Sequence, residues 1–349
     1  MSQRPPRIGR LPAGPLDAIT DVAGVRVGHV TLAPQDDPAL QTGVTVIKPH
    51  ARDPFRHKVP AAAAIINGFG KSIGLTQLAE LGQLETPIAL TNTFAVGAVA
   101  QAQVARCIAA NPEVGRALPT VNPLVLECND GYLNDIQRMA ITGAHYSQAC
   151  AAAGEQVAQG SVGAGRGMSC FQLKGGIGSA SRVAQLAGGA RHTVGALVLA
   201  NYGVQANLLW GGAPLGECLA ARGAPAQPEV EKGSIIIVLA TDAPLDARQL
   251  QRLALRAAAG LARTGSVYGH GSGDIALAFS SAYTLPHLPG EPMPAVALVH
   301  EALLDPLFQA AADSVEQAIV HALWHAEGVT GRDGHRREAL RSVLDAIER

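Results

Sequence analysis

The sequence predicts a layered α+β fold in which sheets are sandwiched between helices. Short apolar runs recur along the chain, and each is bounded by Gly, Pro, Asn or Asp, as strands usually are. Helical patterns lie between some of these runs, but strands and helices do not alternate strictly, and this mixture favours the layered arrangement. The predicted strands span residues 25–30, 44–47, 62–66, 88–90, 124–126, 194–200, 234–240, 275–279 and 296–298.

Hydrophobic periodicity predicts two helices. Residues 313–316 read Asp-Ser-Val-Glu, an N-terminal capping signal, so we expect a helix to begin there with Val315, Ile319 and Leu323 on its inner side. The other helix spans residues 246–261, and its apolar face carries Leu250, Leu253, Ala254, Ala257 and Leu261.

Glycine marks a different kind of region. Many of the 39 glycines cluster in residues 154–216, which we interpret as turns and close backbone approaches around a site. Residues 220–232 are rich in Pro, Ala and charged residues and low in bulky ones, so we expect an exposed loop there.

Composition excludes several classes of function. The 349-residue chain has 27 basic and 28 acidic side chains, a net charge of -1 and only 4% aromatic residues. Because it has neither a basic field nor aromatics for base stacking, we expect no binding of nucleic acid or of an anionic membrane. Hydrophobic residues make up 48% of the chain, so a sizeable core can form.

We expect a cytoplasmic protein. The five cysteines are odd in number and lack Cys-x-x-Cys spacing, which argues against a disulfide framework or a zinc ribbon and fits a reducing compartment. Residues 1–15 contain no apolar segment of the kind found in signal peptides. No run of about 18 apolar residues predicts a membrane span.

Neither a nucleotide site nor a metal site is predicted. Residues 70–72 resemble the end of a P-loop, but Ile65 occupies the position of the required first glycine. The loose G-x-G-x-x-A match at 271–276 precedes a predicted strand instead of opening a helix. His321 and His325 are one helical turn apart but lack a Glu and a third ligand, so we expect no metal and no cofactor.

The pair Gly233-Ser234 stands directly before an apolar run, at the end of the expected loop. Cleavage of the bond between these two residues would free the α-amine of Ser234 beside its own hydroxyl. That would place a nucleophile and a candidate base in one residue. An ordinary Gly-Ser turn that enters a strand is the alternative.

Polar residues at other strand ends are candidates to assist Ser234. Asn201 closes an apolar run, where its amide could donate to a developing oxyanion; an Asx turn is the alternative. Ser272 and Asp274 are two residues apart and share a face if the chain is extended. The carboxylate could then orient a hydroxyl or hold the new ammonium group of Ser234, and a solvated glycine turn is the alternative.

The acidic turn 127–135 follows a predicted buried strand. Glu127 or Asp130 could bind a substrate ammonium group, and the hydroxyl of Tyr132 could stabilise an oxyanion or donate a proton. A hairpin-like Asn-Asp-Gly turn is the alternative. Asn67, at the end of another predicted strand, could line a substrate pocket.

Motifs spread over nearly the whole chain carry a resemblance to a known family. They are Ile19-Thr-Asp-Val-Ala-Gly-Val-Arg-Val-Gly-His29, Glu127-Cys-Asn-Asp-Gly-Tyr-Leu-Asn-Asp135, Ala200-Asn-Tyr-Gly203, Gly233-Ser-Ile-Ile-Ile-Val-Leu-Ala-Thr-Asp-Ala-Pro244, Gly271-Ser-Gly-Asp274 and Thr330-Gly-Arg-Asp-Gly334. Together and in this order, they resemble the DmpA-type aminopeptidases, which are the L-aminopeptidase/D-esterase and β-peptidyl aminopeptidases of peptidase family P1.

The resemblance implies a four-layer αββα sandwich of the DmpA and ornithine acetyltransferase type, like that of N-terminal-nucleophile hydrolases. We therefore expect one αββα domain over residues 1–349. The resemblance also implies self-cleavage into an α-chain, residues 1–233, and a β-chain that begins at Ser234. Assembly of these heterodimers into homo-oligomers is expected as well.

The resemblance also implies a role for each candidate residue. By position, Ser234 is the nucleophile, Asn201 and Tyr132 serve the oxyanion, and Ser272 and Asp274 form a supporting pair. Some family members have Glu where this chain has Asp274, so the partner of that carboxylate stays open. The base is either the α-amine of Ser234 or a relay through Ser272. The expected reaction releases N-terminal residues from short peptides, amino-acid amides or esters through an acyl-enzyme.

Two alternatives stay open. An enzyme of the ornithine acetyltransferase type also cleaves itself, typically before Thr, and transfers an acetyl group to an amino acid. Ser234 and the segment Asn129-Asp-Gly-Tyr132 favour the hydrolase. The other alternative is a non-catalytic member that uses the fold for assembly or ligand binding. Preference among L-α-, D- and β-amino acids depends on pocket shape, which these motifs do not specify.

Overall fold

A computed structural model describes residues 4–221 and 233–348, so nearly all of the predicted loop 220–232 lies outside the described residues. The helices are α1 (Leu75–Leu81), α2 (Val96–Ala110), α3 (Gly143–Ala151), α4 (Leu215–Ala220), α5 (Ala247–Leu255), α6 (Ala257–Ala262), α7 (Asp305–Trp324) and α8 (Leu340–Glu348). The strands are β1 (Arg26–Leu32), β2 (Thr42–Lys48), β3 (His57–Gly68), β4 (Gln83–Leu84), β5 (Ile88–Asn92), β6 (Val125–Cys128), β7 (Ser169–Cys170), β8 (Leu173–Lys174), β9 (Gly176–Gln185), β10 (Arg191–Asn201), β11 (Ser234–Thr241), β12 (Gly273–Ser280), β13 (Leu285–Pro286), β14 (Val329–Thr330) and β15 (Arg336–Arg337).

Two mixed sheets form the centre of the molecule. The first has the order β1-β2-β5-β6, and the second has the order β13-β3-β12-β11-β10-β9, with β4 paired to β3. The pairs β5–β6 and β11–β12 are parallel, and the other pairs in these two sheets are antiparallel. Strand β11 lies between β10 and β12, so both sides of its backbone are hydrogen-bonded.

The two sheets face each other and are covered by helices on their outer faces. Ile236 and Val238 of β11 pack with Leu90 and Leu126 of the first sheet, whereas Ile235 and Ile237 pack with α5, α6 and α7. Helices α2 and α3 cover the outer face of the first sheet. All eight residues of β11 are buried, as its continuous apolar run requires in the middle of such a stack. This four-layer αββα arrangement confirms the predicted fold class.

The glycine-rich region contains a long strand that the sequence analysis missed. Strand β9 runs through Gly176–Gln185, where we had expected turns. A Cβ atom on Gly178 would lie 1.8 Å from the carbonyl oxygen of Ala318 in α7. The glycine thus allows a strand and a helix to approach closely, which agrees with the predicted close backbone approaches, although the strand itself was not predicted.

Two other predictions need correction. The capping signal at 313–316 does not begin a helix, because α7 begins at Asp305. Asp313 is buried in the middle of α7, where its Oδ1 accepts from Arg263 at 2.8 Å. Residues 296–298 form irregular chain instead of a strand. The predicted helix 246–261 is divided into α5 and α6 at Arg256, although its predicted apolar face is buried throughout.

Among the described residues, the segment Thr93–Ala110 is long and apolar enough to cross a membrane by length and composition alone, with a mean hydropathy of 1.2. Val96, Val99 and Ala100 on this segment pack against the first sheet. Packing on the sheet accounts for the apolar character of these three residues.

Candidate active site

Strand register brings three predicted site segments together where β11 begins. Ser234 is the first residue of β11, and it pairs with Asn201, the last residue of β10. On its other side Ser234 pairs with Gly273, the first residue of β12. Side chains alternate along a strand, so Ser234 shares the face of Ile236, which looks toward the first sheet.

The hydroxyl of Ser234 lies beside the carbonyl group of the residue before it. In the uncut chain, Ser234 Oγ donates to Gly233 O at 2.7 Å. The backbone N–H of Gly273 donates to Gly233 O at 3.2 Å and to Ser234 Oγ at 3.3 Å. One N–H therefore polarises the carbonyl of Gly233 and also contacts the hydroxyl of Ser234. Sequence reasoning missed this donor, because a backbone N–H has no residue-type signal.

Gly233 has no room for a side chain. A Cβ atom there would lie 2.5 Å from both Asn201 O and Tyr202 Cα. The position of the carbonyl next to Ser234 therefore depends on glycine.

The amide of Asn201 is held in one orientation. Its Oδ1 accepts from the backbone N–H of Ser169 at 2.8 Å, and its Nδ2 donates to Asn129 O at 3.0 Å. An amide nitrogen has two hydrogens, so one is left for a ligand. The side chain is 6% exposed and shares the inter-sheet face of Ser234. This arrangement suits an oxyanion donor.

Tyr132 lies on the turn after β6 and is 36% exposed. Its ring stacks on His335 with 4.6 Å between centroids and 9° between planes. The guanidinium carbon of Arg337 is 3.8 Å from the centroid of the Tyr132 ring. Sequence reasoning had no signal for these partners, because they are some 200 residues away in the chain.

Ser272 and Asp274 form the predicted pair. Ser272 Oγ donates to Asp274 Oδ1 at 2.5 Å, and both side chains are fully buried. By strand alternation, Asp274 shares the face of Ala276, which packs toward the helices, whereas Ser234 faces the first sheet. The pair thus lies next to the backbone at Gly233–Ser234 and not directly under the hydroxyl.

Asn67 holds the turn that precedes β12. Its Nδ2 donates to Gly269 O at 3.0 Å and also to the carbonyl oxygen of Ser272. The observed contacts of Asn67 therefore shape the turn, and its part in substrate binding stays a prediction.

The two acidic candidates of the 127–135 turn differ in their surroundings. Glu127 Oε1 accepts from the N–H of Lys71 at 2.8 Å, and Oε2 accepts from the hydroxyl of Thr93. Asp130 is 1% exposed, and its Oδ1 accepts from Asn134 at 3.0 Å. Burial raises the pKa of Asp130 to about 7. A carboxyl group with a raised pKa is protonated over a wider pH range, and a protonated carboxyl group binds an ammonium group less strongly than a carboxylate does.

No group of three or more His, Cys, Asp or Glu side chains that could hold a metal ion occurs within residues 4–221 and 233–348. His321, one of the helix histidines tested above, contacts Ser179 O through Nδ1 at 2.8 Å. None of the five cysteines, all of which lie among the described residues, forms a disulfide.

Comparisons with known proteins identify the family of this chain. The model of Peptidase family S58 matches residues 17–337. The β-peptidyl aminopeptidase BapA of Sphingosinicella xenopeptidilytica is 40% identical over 337 residues, which cover 91% of this chain and 83% of that protein.

Solved structures show the same fold. The β-aminopeptidase of a Burkholderia species has a TM-score of 0.89 and 45% identity, with 98% of this chain and 96% of that chain covered. The L-aminopeptidase D-Ala-esterase/amidase of Ochrobactrum anthropi, described as a prototype for the serine aminopeptidases and a variant of the Ntn-hydrolase fold, has a TM-score of 0.88 and 36% identity, with 97% and 95% covered. The chain therefore belongs to peptidase family S58, the DmpA-type serine aminopeptidases, and is an aminopeptidase.

Proposed function

We propose that this chain is a self-processing aminopeptidase whose nucleophile is Ser234. The observation that carries the proposal is the hydrogen bond from Ser234 Oγ to the carbonyl oxygen of Gly233. The backbone N–H of Gly273 donates to both of these oxygen atoms. A hydroxyl, a target carbonyl and an oxyanion donor are thereby assembled at one peptide bond.

Self-processing begins with attack of Ser234 Oγ on the carbonyl carbon of Gly233. The Gly273 N–H stabilises the negative charge that develops on the carbonyl oxygen. The C–N bond then breaks, the hydroxyl proton passes to the departing amine, and an ester joins Gly233 to Ser234 Oγ. Water hydrolyses this ester, which releases the Gly233 carboxylate and leaves Ser234 with a free α-amine.

The same hydroxyl then attacks the carbonyl carbon of a substrate's N-terminal residue. Asn201 and Tyr132 serve the oxyanion, and the leaving amine or alcohol departs to give an acyl-enzyme that water hydrolyses. The base is the α-amine of Ser234, whose ordinary pKa is about 7.7–8.0, or a relay through Ser272. Asp274 accepts a hydrogen bond from Ser272 and pairs in register with Ile235, the residue after Ser234. Its carboxylate would hold the ammonium form of the new Ser234 α-amine.

Substrate recognition rests on the free N-terminus. Glu127, next to the last residue of β6, accepts two hydrogen bonds and has lone pairs left for a substrate ammonium group. The relatives named above support short peptides, amides or esters with an N-terminal β-amino or L-α-amino residue, and amides or esters of D-Ala, as the substrate class. We also propose a homo-oligomer of αβ heterodimers as the working assembly, on the resemblance to the family.

The proposal is tested with β-alanyl p-nitroanilide and its N-acetylated form. Wild type should release p-nitroaniline from the first compound and not from the second, because acetylation removes the ammonium group. Ser234→Ala should release none, whereas Ser281→Ala, which removes an exposed hydroxyl that bonds Ala23 O, should match wild type. Activity of Ser234→Ala would contradict the proposal. Acetyl transfer from N-acetylornithine to glutamate would favour the acetyltransferase alternative.

A further inference from the structure

One guanidinium group connects the two side chains assigned to the oxyanion. Arg337 Nε donates to Ser169 Oγ at 3.2 Å, and the backbone N–H of Ser169 donates to Asn201 Oδ1 at 2.8 Å. The same guanidinium lies 3.8 Å from the centroid of the Tyr132 ring. Tyr132 and Asn201 are 69 positions apart in the chain, and Arg337 is far from both.

The hairpin that carries Arg337 is fixed to the turn that carries Tyr132. The hairpin consists of β14, β15 and the residues between them. Arg332 donates through Nε to Gly131 O at 2.7 Å and through its backbone N–H to Leu133 O at 2.8 Å. His335 Nδ1 contacts Tyr132 O at 2.8 Å, in addition to the ring stack. The backbone and the ring of Tyr132 are therefore both held by the hairpin.

Ser169, which accepts the hydrogen bond from Arg337, is also held in place by its surroundings. Ser169 belongs to the β7–β8 ribbon, whose last residue, Lys174, donates its backbone N–H to Glu338 O at 2.8 Å. Lys174 is fully buried, and its Nζ donates to the carbonyl oxygens of Gly165, Met168 and Gly175 at 2.9, 2.9 and 2.7 Å. Ser169 thus lies on a ribbon that cannot shift without breaking buried hydrogen bonds.

We propose that Arg337 is a positioning residue, which sets the Tyr132 hydroxyl and the Asn201 amide at their working distance from each other. The inference rests on the proposed function, because it concerns those two residues as oxyanion donors. A planar guanidinium can stack on a ring with its face while an N–H at its edge donates to an oxygen. An ammonium group cannot do both, so lysine is a poor replacement here. A shift of about 1 Å in a reacting group can change the rate about a hundredfold.

The test compares Arg337→Met with Arg336→Met. Arg336 is the neighbouring residue on β15, but it is 61% exposed and pairs with Glu338. Both variants should first be shown by intact mass and thermal melting to be processed and folded. We expect Arg337→Met to lower kcat about ten- to a hundredfold with KM little changed, and Arg337→Lys to restore only part of the loss. Arg336→Met should keep the wild-type kcat.

A double-mutant cycle separates positioning from general stabilisation. If Arg337 acts through the Tyr132 hydroxyl and through Ser169, then Arg337→Met should cost less kcat in a Tyr132→Phe or Ser169→Ala background than in wild type. Additive losses, or equal kcat in Arg337→Met and Arg336→Met, would overturn the inference. Failure of the proposed function has a different signature, because Ser234→Ala would then stay active.

Discussion

The two ends of the proposed active site are built in different ways. At the nucleophile end, Gly233, Ser234 and Gly273 are placed by the register of adjacent strands in the middle of the second sheet. At the oxyanion end, strand register places the backbone of Asn201, but its amide group is oriented by the β7–β8 ribbon, and Tyr132 is held by ring contacts from the β14–β15 hairpin. The first end depends on the core alone, and the second depends in addition on contacts between distant segments.

This difference predicts how each end responds to mutation. Strands at the centre of a packed sheet leave no room for adjustment, so a change at the nucleophile end should act in an all-or-none manner. The side chains at the oxyanion end are each held by more than one contact from another segment, so changes there should give graded losses.

Gly233→Ala should have the largest effect. The added methyl group would lie 2.5 Å from Asn201 O and Tyr202 Cα, so the backbone must move and the carbonyl must leave the N–H of Gly273. We expect no detectable self-cleavage by intact mass over a period in which wild type is fully cut. Gly97→Ala is the matched control, because no heavy atom lies within 4 Å of a Cβ there and the helical position should become about 0.5–1 kcal/mol more stable. Normal processing of Gly233→Ala would contradict the account.

Asn201→Ala should have a large but graded effect at the other end. Loss of one oxyanion donor lowers kcat about a hundred- to a thousandfold in comparable sites. Steady-state kinetics on processed enzyme would measure this. Asn111→Ala is the control, because it removes another buried amide, whose Nδ2 donates a hydrogen bond to Asp53 outside the proposed site. It should lower stability and leave kcat unchanged. A kcat in Asn201→Ala within about twofold of wild type would remove Asn201 from the mechanism.

Asp130→Asn should have the smallest effect of the three. We expect it to change the free energy of unfolding by an amount that depends on pH. Burial raises the pKa of Asp130 to about 7, from an ordinary value of about 3.9. Between these values the folded chain holds a proton that the unfolded chain has released, so this carboxyl lowers stability as pH rises from about 4 to about 7. The asparagine variant has no such proton. Its free energy of unfolding relative to wild type should therefore increase over that range, by on the order of a few kcal/mol.

Denaturant titrations at several pH values would measure this difference. If the difference in free energy of unfolding between the two proteins stays constant from pH 4 to pH 7, Asp130 is ionised throughout that range. Asp130 would then again be a candidate for binding the substrate ammonium group.

The same difference, between core strands and contacts of distant segments, determines how much could be predicted from the sequence. Apolar runs such as 234–240 predicted the central strands, because a strand buried on both faces must be continuously apolar. Strand β9 was missed because its glycines allow contact with α7 and leave little hydrophobic signal. The signal at 313–316 misled because the buried side chain of Asp313 pairs with Arg263 in the middle of α7, so an acidic residue that looks like a cap makes a tertiary contact instead.

For the site, the candidate residues followed from polar positions at strand ends and from family motifs. Their arrangement did not follow, because it depends on strand order and on distant contacts. Ser234 can pair with both Asn201 and Gly273 only if β11 lies between β10 and β12. No local sequence pattern indicates this strand order. The N–H of Gly273 and the guanidinium of Arg337 had no local signal at all.

The central claim is that Ser234 cuts the chain before itself, and intact mass under denaturing conditions tests it most directly. Freshly purified wild type should give two fragments, residues 1–233 and 234–349, and Ser234→Ala should give one uncut chain. A single uncut chain in wild type, or a cut Ser234→Ala variant, would contradict the account.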